Sequence, residues 1–173
     1  MEVHEVFVVE APPASVYDSL NNVGEIGHCV SGVTSVEVLN DIESRWKVEQ
    51  KLGFIARTFT LNAKITNARR PELIEFDAAA DDVNVTGRME LQPAAENTTQ
   101  CALTMNVDVT GPLAPIVELF AKGPQKALIA ETIANLRTRL EEKYGEPRAA
   151  EAAPAAGTSL LSRIRRIFNR NRT

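Results

Sequence analysis

A chain of 173 residues, 44% apolar and 24% charged, matches one ordinary globular domain with a short appendage. No run approaches the ~20 apolar residues of a membrane-spanning helix, and Met1-Glu2-Val3-His4-Glu5 has neither the basic start nor the apolar stretch of a secretory signal. The net charge of −4 is uneven: Ser159 to Thr173 carries five arginines and no acid, leaving the remainder at −9, a balance that argues against a nucleic-acid domain and for a tail with its own partner.

Val3 to Glu10 is rich in valine and stops at Ala11-Pro12-Pro13, which predicts a strand ended by prolines. Pro13 suits a first helical turn, and Val16, Tyr17 and Leu20 then define a short amphipathic helix. Asn21 to Gly32 holds three glycines and predicts a second short helix with loops. From Thr34 to Thr110 the pattern has period two. Trp46, Val48, Gln50 and Leu52 oppose Arg45, Lys47, Glu49 and Lys51; Phe59, Leu61, Ala63 and Ile65 oppose Thr58, Thr60, Asn62 and Lys64. Ile74, Phe76, Ala78 and Ala80 oppose Glu75 and Asp77, and two further sets follow: Val83 to Leu91, and Cys101 to Val109. Such alternation predicts antiparallel strands with one wet and one dry face. Turns are expected at Leu39-Asn40-Asp41, Arg69-Arg70-Pro71, Asp81-Asp82 and Pro93-Ala94-Ala95-Glu96-Asn97.

Residues 113 to 144 supply a cover for the dry face. Leu113, Ile116, Val117 and Phe120 form a helical stripe that Ile129, Ile133, Leu136 and Leu140 continue. Gly123-Pro124 interrupts it, because proline removes a hydrogen bond and clashes with the preceding turn. The fold class expected is therefore α+β, a helix grip. About seven antiparallel strands curve over one long C-terminal helix, with two short helices after the first strand. After Gly145 the composition changes: Glu146 to Thr158 contains six alanines and two prolines and has nothing large to bury, the mark of a linker. The expected organisation is a body at 1–145, a linker at 146–158 and a tail at 159–173.

Little of this supports nucleophilic or metal chemistry. His4 and His28 are the imidazoles, neither in a triad context, and no Gly-x-Ser-x-Gly, Cys-x-x-Cys or His-Glu-x-x-His occurs. No metal site and no covalent cofactor is expected. With no signal, Cys29 and Cys101 are expected as reduced thiols of a cytoplasmic protein. The informative feature is the inner face. Small residues (Ala63, Ala78, Ala80, Gly87) interrupt its large ones, and Gln50 puts an amide among them. Apolar walls with a few polar groups describe a small-molecule site. The expected lining is Trp46, Val48, Gln50, Phe59, Leu61, Ile65, Ile74, Phe76, Met89, Leu91, Leu103, Met105, Ile116 and Phe120, with Gly123 and Pro124 as a gate.

In the tail, Leu160, Leu161, Ile164, Ile167 and Phe168 share an arc about 120° wide on a helical wheel. Arg163, Arg166 and Arg170 project oppositely, with Arg165 and Arg172 at the edge. A basic amphipathic helix with an aromatic on its apolar face suits an anionic membrane interface. The alternatives are a helix docking onto the acidic body or onto a partner protein, and a frayed end.

The order of elements resembles the START-like helix-grip superfamily, and within it the carbon monoxide dehydrogenase G-subunit family. The resemblance covers about residues 2 to 140. It rests on Pro13-x-x-x-Val16-Tyr17-Asp18-x-Leu20, on Cys29-Val30-Ser31-Gly32, where the family commonly has Leu-Pro-Gly and Ser31 stands for the proline, on Lys51-Leu52-Gly53-Phe54-Ile55-Ala56-Arg57-Thr58-Phe59, and on Val109-Thr110-Gly111-Pro112-Leu113-Ala114. It implies a hydrophobic pocket, a linker with a membrane-seeking tail, and service to a molybdenum-containing hydroxylase by membrane attachment or delivery of a respiratory quinone. The expected function is non-enzymatic binding of an isoprenoid quinone or lipid by a protein peripheral to the inner face of the cell membrane. The alternatives are a START-like cyclase or hydrolase on an apolar substrate, and a structural adaptor without ligand. Register favours the carrier, since Arg45, Lys47, Glu49, Lys64, Glu75 and Asp77 should all point outward, though a slip of one residue would reverse the faces.

Overall fold

The computed structural model describes residues 1–52, 55–111, 114 and 124–145. The valine-rich start forms β1 (Glu2–Val9), in which Val3, Phe7 and Val9 are buried while Val6 and Val8 are exposed. Pro12 then caps α1 (Pro13–Asn21), and Pro13 opens it, where the missing N–H would have had no intrahelical partner. Val16, Tyr17 and Leu20 are buried, as their spacing predicts. Asn22 caps a second short helix, α2 (Val23–Ile26), its side chain accepting the Glu25 N–H at 3.3 Å.

Six strands follow: β2 (Val33–Val38), β3 (Glu43–Leu52), β4 (Ile55–Arg69), β5 (Leu73–Ala80), β6 (Val83–Ala95) and β7 (Thr98–Val109). With β1 they make one curved antiparallel sheet in the order β1-β7-β6-β5-β4-β3-β2. The first strand thus closes on the last, and β2 forms the far edge. Gly27 lets α2 approach that edge, because a Cβ there would strike the Val36 side chain. Asn40 closes the β2–β3 hairpin: its Oδ1 accepts the N–H groups of Ile42 at 3.0 Å and Glu43 at 2.9 Å, a turn chemistry typical of asparagine.

One turn is shorter than its sequence suggests. Pro93 to Ala95 belong to β6, and the loop is confined to Glu96 and Asn97, the latter with φ of 54°. Pairing with β7 shifts between Pro93 and Ala95, an irregularity at which a residue without an N–H is tolerated in a strand.

The covering helix is α3 (Pro124–Tyr144). Pro124 is the first described residue of this helix; Leu113, Ile116, Val117, Phe120 and Gly123 lie outside the described residues, and with them the interruption expected at Gly123-Pro124. Polar contacts fasten α3 at its C-terminal end. Lys143 Nζ meets both oxygens of Glu25 at 2.8 Å, and the Ser19 hydroxyl donates to the Tyr144 hydroxyl at 3.0 Å. Asn135 donates to the Cys29 carbonyl at 3.3 Å.

These contacts sit beside the packed core, which occupies one end of the fold. Val9, Val16, Leu20, Leu91, Cys101, Leu136 and Leu140 join there from β1, α1, β6, β7 and α3. Toward the other end of the sheet, the same inward registers run on past the core.

Candidate functional site

Beyond the core, the sheet and α3 enclose a cavity of about 540 Å³, inside the roughly 300–1,000 Å³ span of small-molecule pockets. Ten residues of the expected lining stand on its walls: Trp46, Val48, Phe59, Leu61, Ile65, Ile74, Phe76, Met89, Leu103 and Met105. Register explains the assembly. Trp46 pairs with Leu61, Val48 with Phe59, Ile65 with Phe76, and Met89 with Leu103, so alternate residues of neighbouring strands converge on one face. The small residues do leave space: Ala63 and Ala78 are cross-strand partners and both line the cavity.

Leu91 is a correction. It shares the inward register and the core cluster of Met89, yet at 2% exposed it does not reach the cavity that Met89 lines. The reason is α1, which packs against β6 and fills the volume at that end. Gln50 lies on β3 opposite Arg57, but its side chain is outside the described residues. Ile116, Phe120 and Gly123 are outside them as well, as are the tail positions Leu160, Leu161, Arg163, Ile164, Arg165, Arg166, Ile167, Phe168 and Arg170.

Three contributions were not legible in strand alternation. The turn Cys29-Val30-Ser31 lines the cavity, as do Val23 and Ile26 of α2 and Leu128 and Thr132 of α3. Val23 and Ile26 stand three apart on a helix, a spacing that signals a common face. Thr132 flanks the apolar Ile133 and offered no signal of its own.

Among the described lining residues the polar groups are few. Ser44 is 2% exposed and accepts the Trp46 indole N–H at 2.8 Å. Thr132 Oγ1 accepts the Ser31 N–H at 3.0 Å. Lys64 borders the cavity, but its ammonium is outside, 3.3 Å from Glu43. Cys29 is buried, and that burial pushes its thiol above the ordinary cysteine range, which disfavours a nucleophilic thiolate. Arg45, Arg88 and their partners on the strands are not among the lining residues and are engaged in ion pairs: Arg45 with Glu37 at 3.1 Å, and Arg88 with Glu75 at 3.0 Å and Glu90 at 2.6 Å. His4 is exposed, with Nδ1 2.9 Å from Thr104 Oγ1, and His28 is exposed too. The arrangement can therefore bury an apolar molecule and offer it hydroxyl and thiol groups.

Several solved structures share this fold. A conserved protein of Geobacillus kaustophilus is 16% identical with a TM-score of 0.71, covering 83% of this chain and 97% of that one. The Zhui aromatase/cyclase of Streptomyces sp. R1128 is 18% identical with a TM-score of 0.62, covering 87% and 98%. A START superfamily protein of Mycobacterium smegmatis is 18% identical with a TM-score of 0.60, covering 83% and 96%. At these identities the likeness is one of fold, the START-like helix grip. No curated protein matches the chain. The family model of the carbon monoxide dehydrogenase G subunit (CoxG), by contrast, matches residues 6–141, from β1 almost to the end of α3 and through nearly every wall of the cavity. The chain belongs to the CoxG family, the G subunit of carbon monoxide dehydrogenase.

Proposed function

We propose that the protein is a non-enzymatic carrier of an apolar small molecule, an isoprenoid quinone or a lipid, held between the sheet and α3. The observation that carries this reading is the cavity of about 540 Å³ with almost wholly apolar walls. In a domain of this size that volume is a departure from the close packing of ordinary interiors. The family to which the chain belongs supplies the partner, a molybdenum-containing carbon monoxide dehydrogenase or related enzyme, which the carrier serves by recruitment or quinone delivery. Residues 159–173 act as the basic amphipathic helix that returns it to the anionic inner face of the membrane. Residues 146–158 act as the linker that lets the body dock on the enzyme. No helix among the described residues is long and apolar enough to cross a membrane; the attachment proposed through the tail is peripheral.

Gentle purification of the full chain from a membrane-containing lysate, followed by extraction and mass spectrometry, tests the carrier. A stoichiometric prenyl quinone or lipid is the expected result. A protein still empty after incubation with quinone-loaded vesicles would favour a structural adaptor. The competing enzyme reading draws on the fold shared with an aromatase/cyclase. It requires the bound molecule to be chemically altered on incubation, whereas a carrier returns it unchanged.

A further inference from the structure

From the arrangement at the turn before β2 we infer that Ser31, with Thr132 beside it, is the polar anchor of the cavity and selects an apolar ligand that carries an oxygen at one end. This rests on the carrier reading above and names the chemistry of the ligand's head. Ser31 lines the cavity, and its hydroxyl is shut off from solvent with no hydrogen-bond partner among the described residues. It is the one buried side-chain polar atom among them in that condition. A buried hydroxyl left without a partner is unfavourable, so its persistence at the cavity wall points to a partner supplied from outside the chain.

The position of Ser31 is well determined. Its own N–H donates to Thr132 Oγ1 on α3 at 3.0 Å. On either side, the Val30 carbonyl accepts the Val33 N–H at 3.2 Å and the Gly32 carbonyl accepts the Glu49 N–H at 2.7 Å. Gly32 makes this possible with φ of 87°, a conformation that glycine adopts without the Cβ penalty. The Ser31 backbone and the Thr132 hydroxyl, from two different elements, are thus held together at a wall that is mostly apolar. Ser44, the other buried serine of the lining, already accepts the Trp46 indole. Turned about its Cα–Cβ bond toward the cavity, the Ser31 hydroxyl can donate to a carbonyl, or accept from an alcohol; a pure hydrocarbon can do neither.

The test compares decyl-benzoquinone with decylbenzene, which share shape and differ in the ring oxygens. Each displaces a fluorescent naphthylamine from the full-length protein and from the Ser31→Ala variant. Ser31→Ala should weaken the quinone about fivefold to tenfold, the worth of one hydrogen bond, and leave decylbenzene within about twofold. The melting temperature of the ligand-free variant should be unchanged or higher, since an unpaired buried hydroxyl has been removed. Equal loss for both probes, no loss for the quinone, or a lowered melting temperature would each overturn the anchor while leaving the carrier intact. If neither probe displaces the dye from the wild-type protein, the carrier reading fails and the anchor with it.

Discussion

Phe76 on β5 lies over its cross-strand partner Gly87 on β6 so closely that a Cβ at position 87 would collide with the ring. The glycine is what lets an aromatic lie flat against the sheet and stay on the wall of the cavity. Any larger residue at 87 must lift that ring off β6.

Gly87→Val is therefore expected to destabilise the fold by about 1–3 kcal/mol, the usual cost of overpacking, and to reduce ligand capacity by driving Phe76 into the cavity. Urea unfolding measures the first and dye displacement the second. A stable variant with full binding would show that Phe76 has another position open to it.

Ala63 and Ala78 offer the opposite experiment. They are paired across β4 and β5 and both line the cavity, so added side-chain atoms enter the cavity and meet no packed neighbour. Ala78→Leu should leave stability within about 1 kcal/mol of wild type, well below the cost of the same enlargement in a filled core, while ligand binding falls at least tenfold. A large loss of stability would mean that this wall is already packed.

Cys101 is wholly buried in the core, and burial alone pushes its thiol up to about 12. An unfolded thiol ionises near 8.5, so between those values the unfolded chain holds fewer protons than the folded one. Stability from this group is complete below about pH 8.5 and is lost as pH rises toward 12, at up to about 1.4 kcal/mol per pH unit. Cys29 and Tyr17, also raised by burial, act in the same direction. Urea midpoints measured from pH 7.5 to 10 should fall less steeply in Cys101→Ala than in wild type. Parallel slopes would contradict the buried, protonated thiol.

Tyr144 accepts the hydroxyl of Ser19, which is 2% exposed, and so ties the end of α3 to α1. Tyr144→Phe leaves that serine without its acceptor at an expected cost of about 1–3 kcal/mol. Hydrogen exchange should quicken in residues 136–144 before it does in the strands. Unchanged protection there would indicate that the Glu25–Lys143 contact holds the helix end without it.

The amino-acid sequence alone carried the α+β class, a sheet of about seven strands and the inward faces of β3 to β7. Strand alternation is a local property, and residues such as Trp46, Val48, Phe59 and Leu61 declare their side of the sheet without reference to anything distant. It also marked the two short helices, through Pro13 and the Val16, Tyr17, Leu20 spacing, and the apolar stripe of α3. Periodicity states only that a face is dry. It does not state what dries it. Met89 and Leu91 carry the same pattern two residues apart and both belong to the core cluster, yet only Met89 also lines the cavity, a difference that rests on what packs over each, α1 among them. Ser31 and Thr132 are 101 residues apart and joined by one hydrogen bond; neither belongs to a period of any kind. Their meeting, and the cavity beside them, depend on how α3 crosses the sheet, which is set by long-range packing and by the fastenings at Glu25, Ser19 and Cys29. No local pattern of residues encodes that crossing.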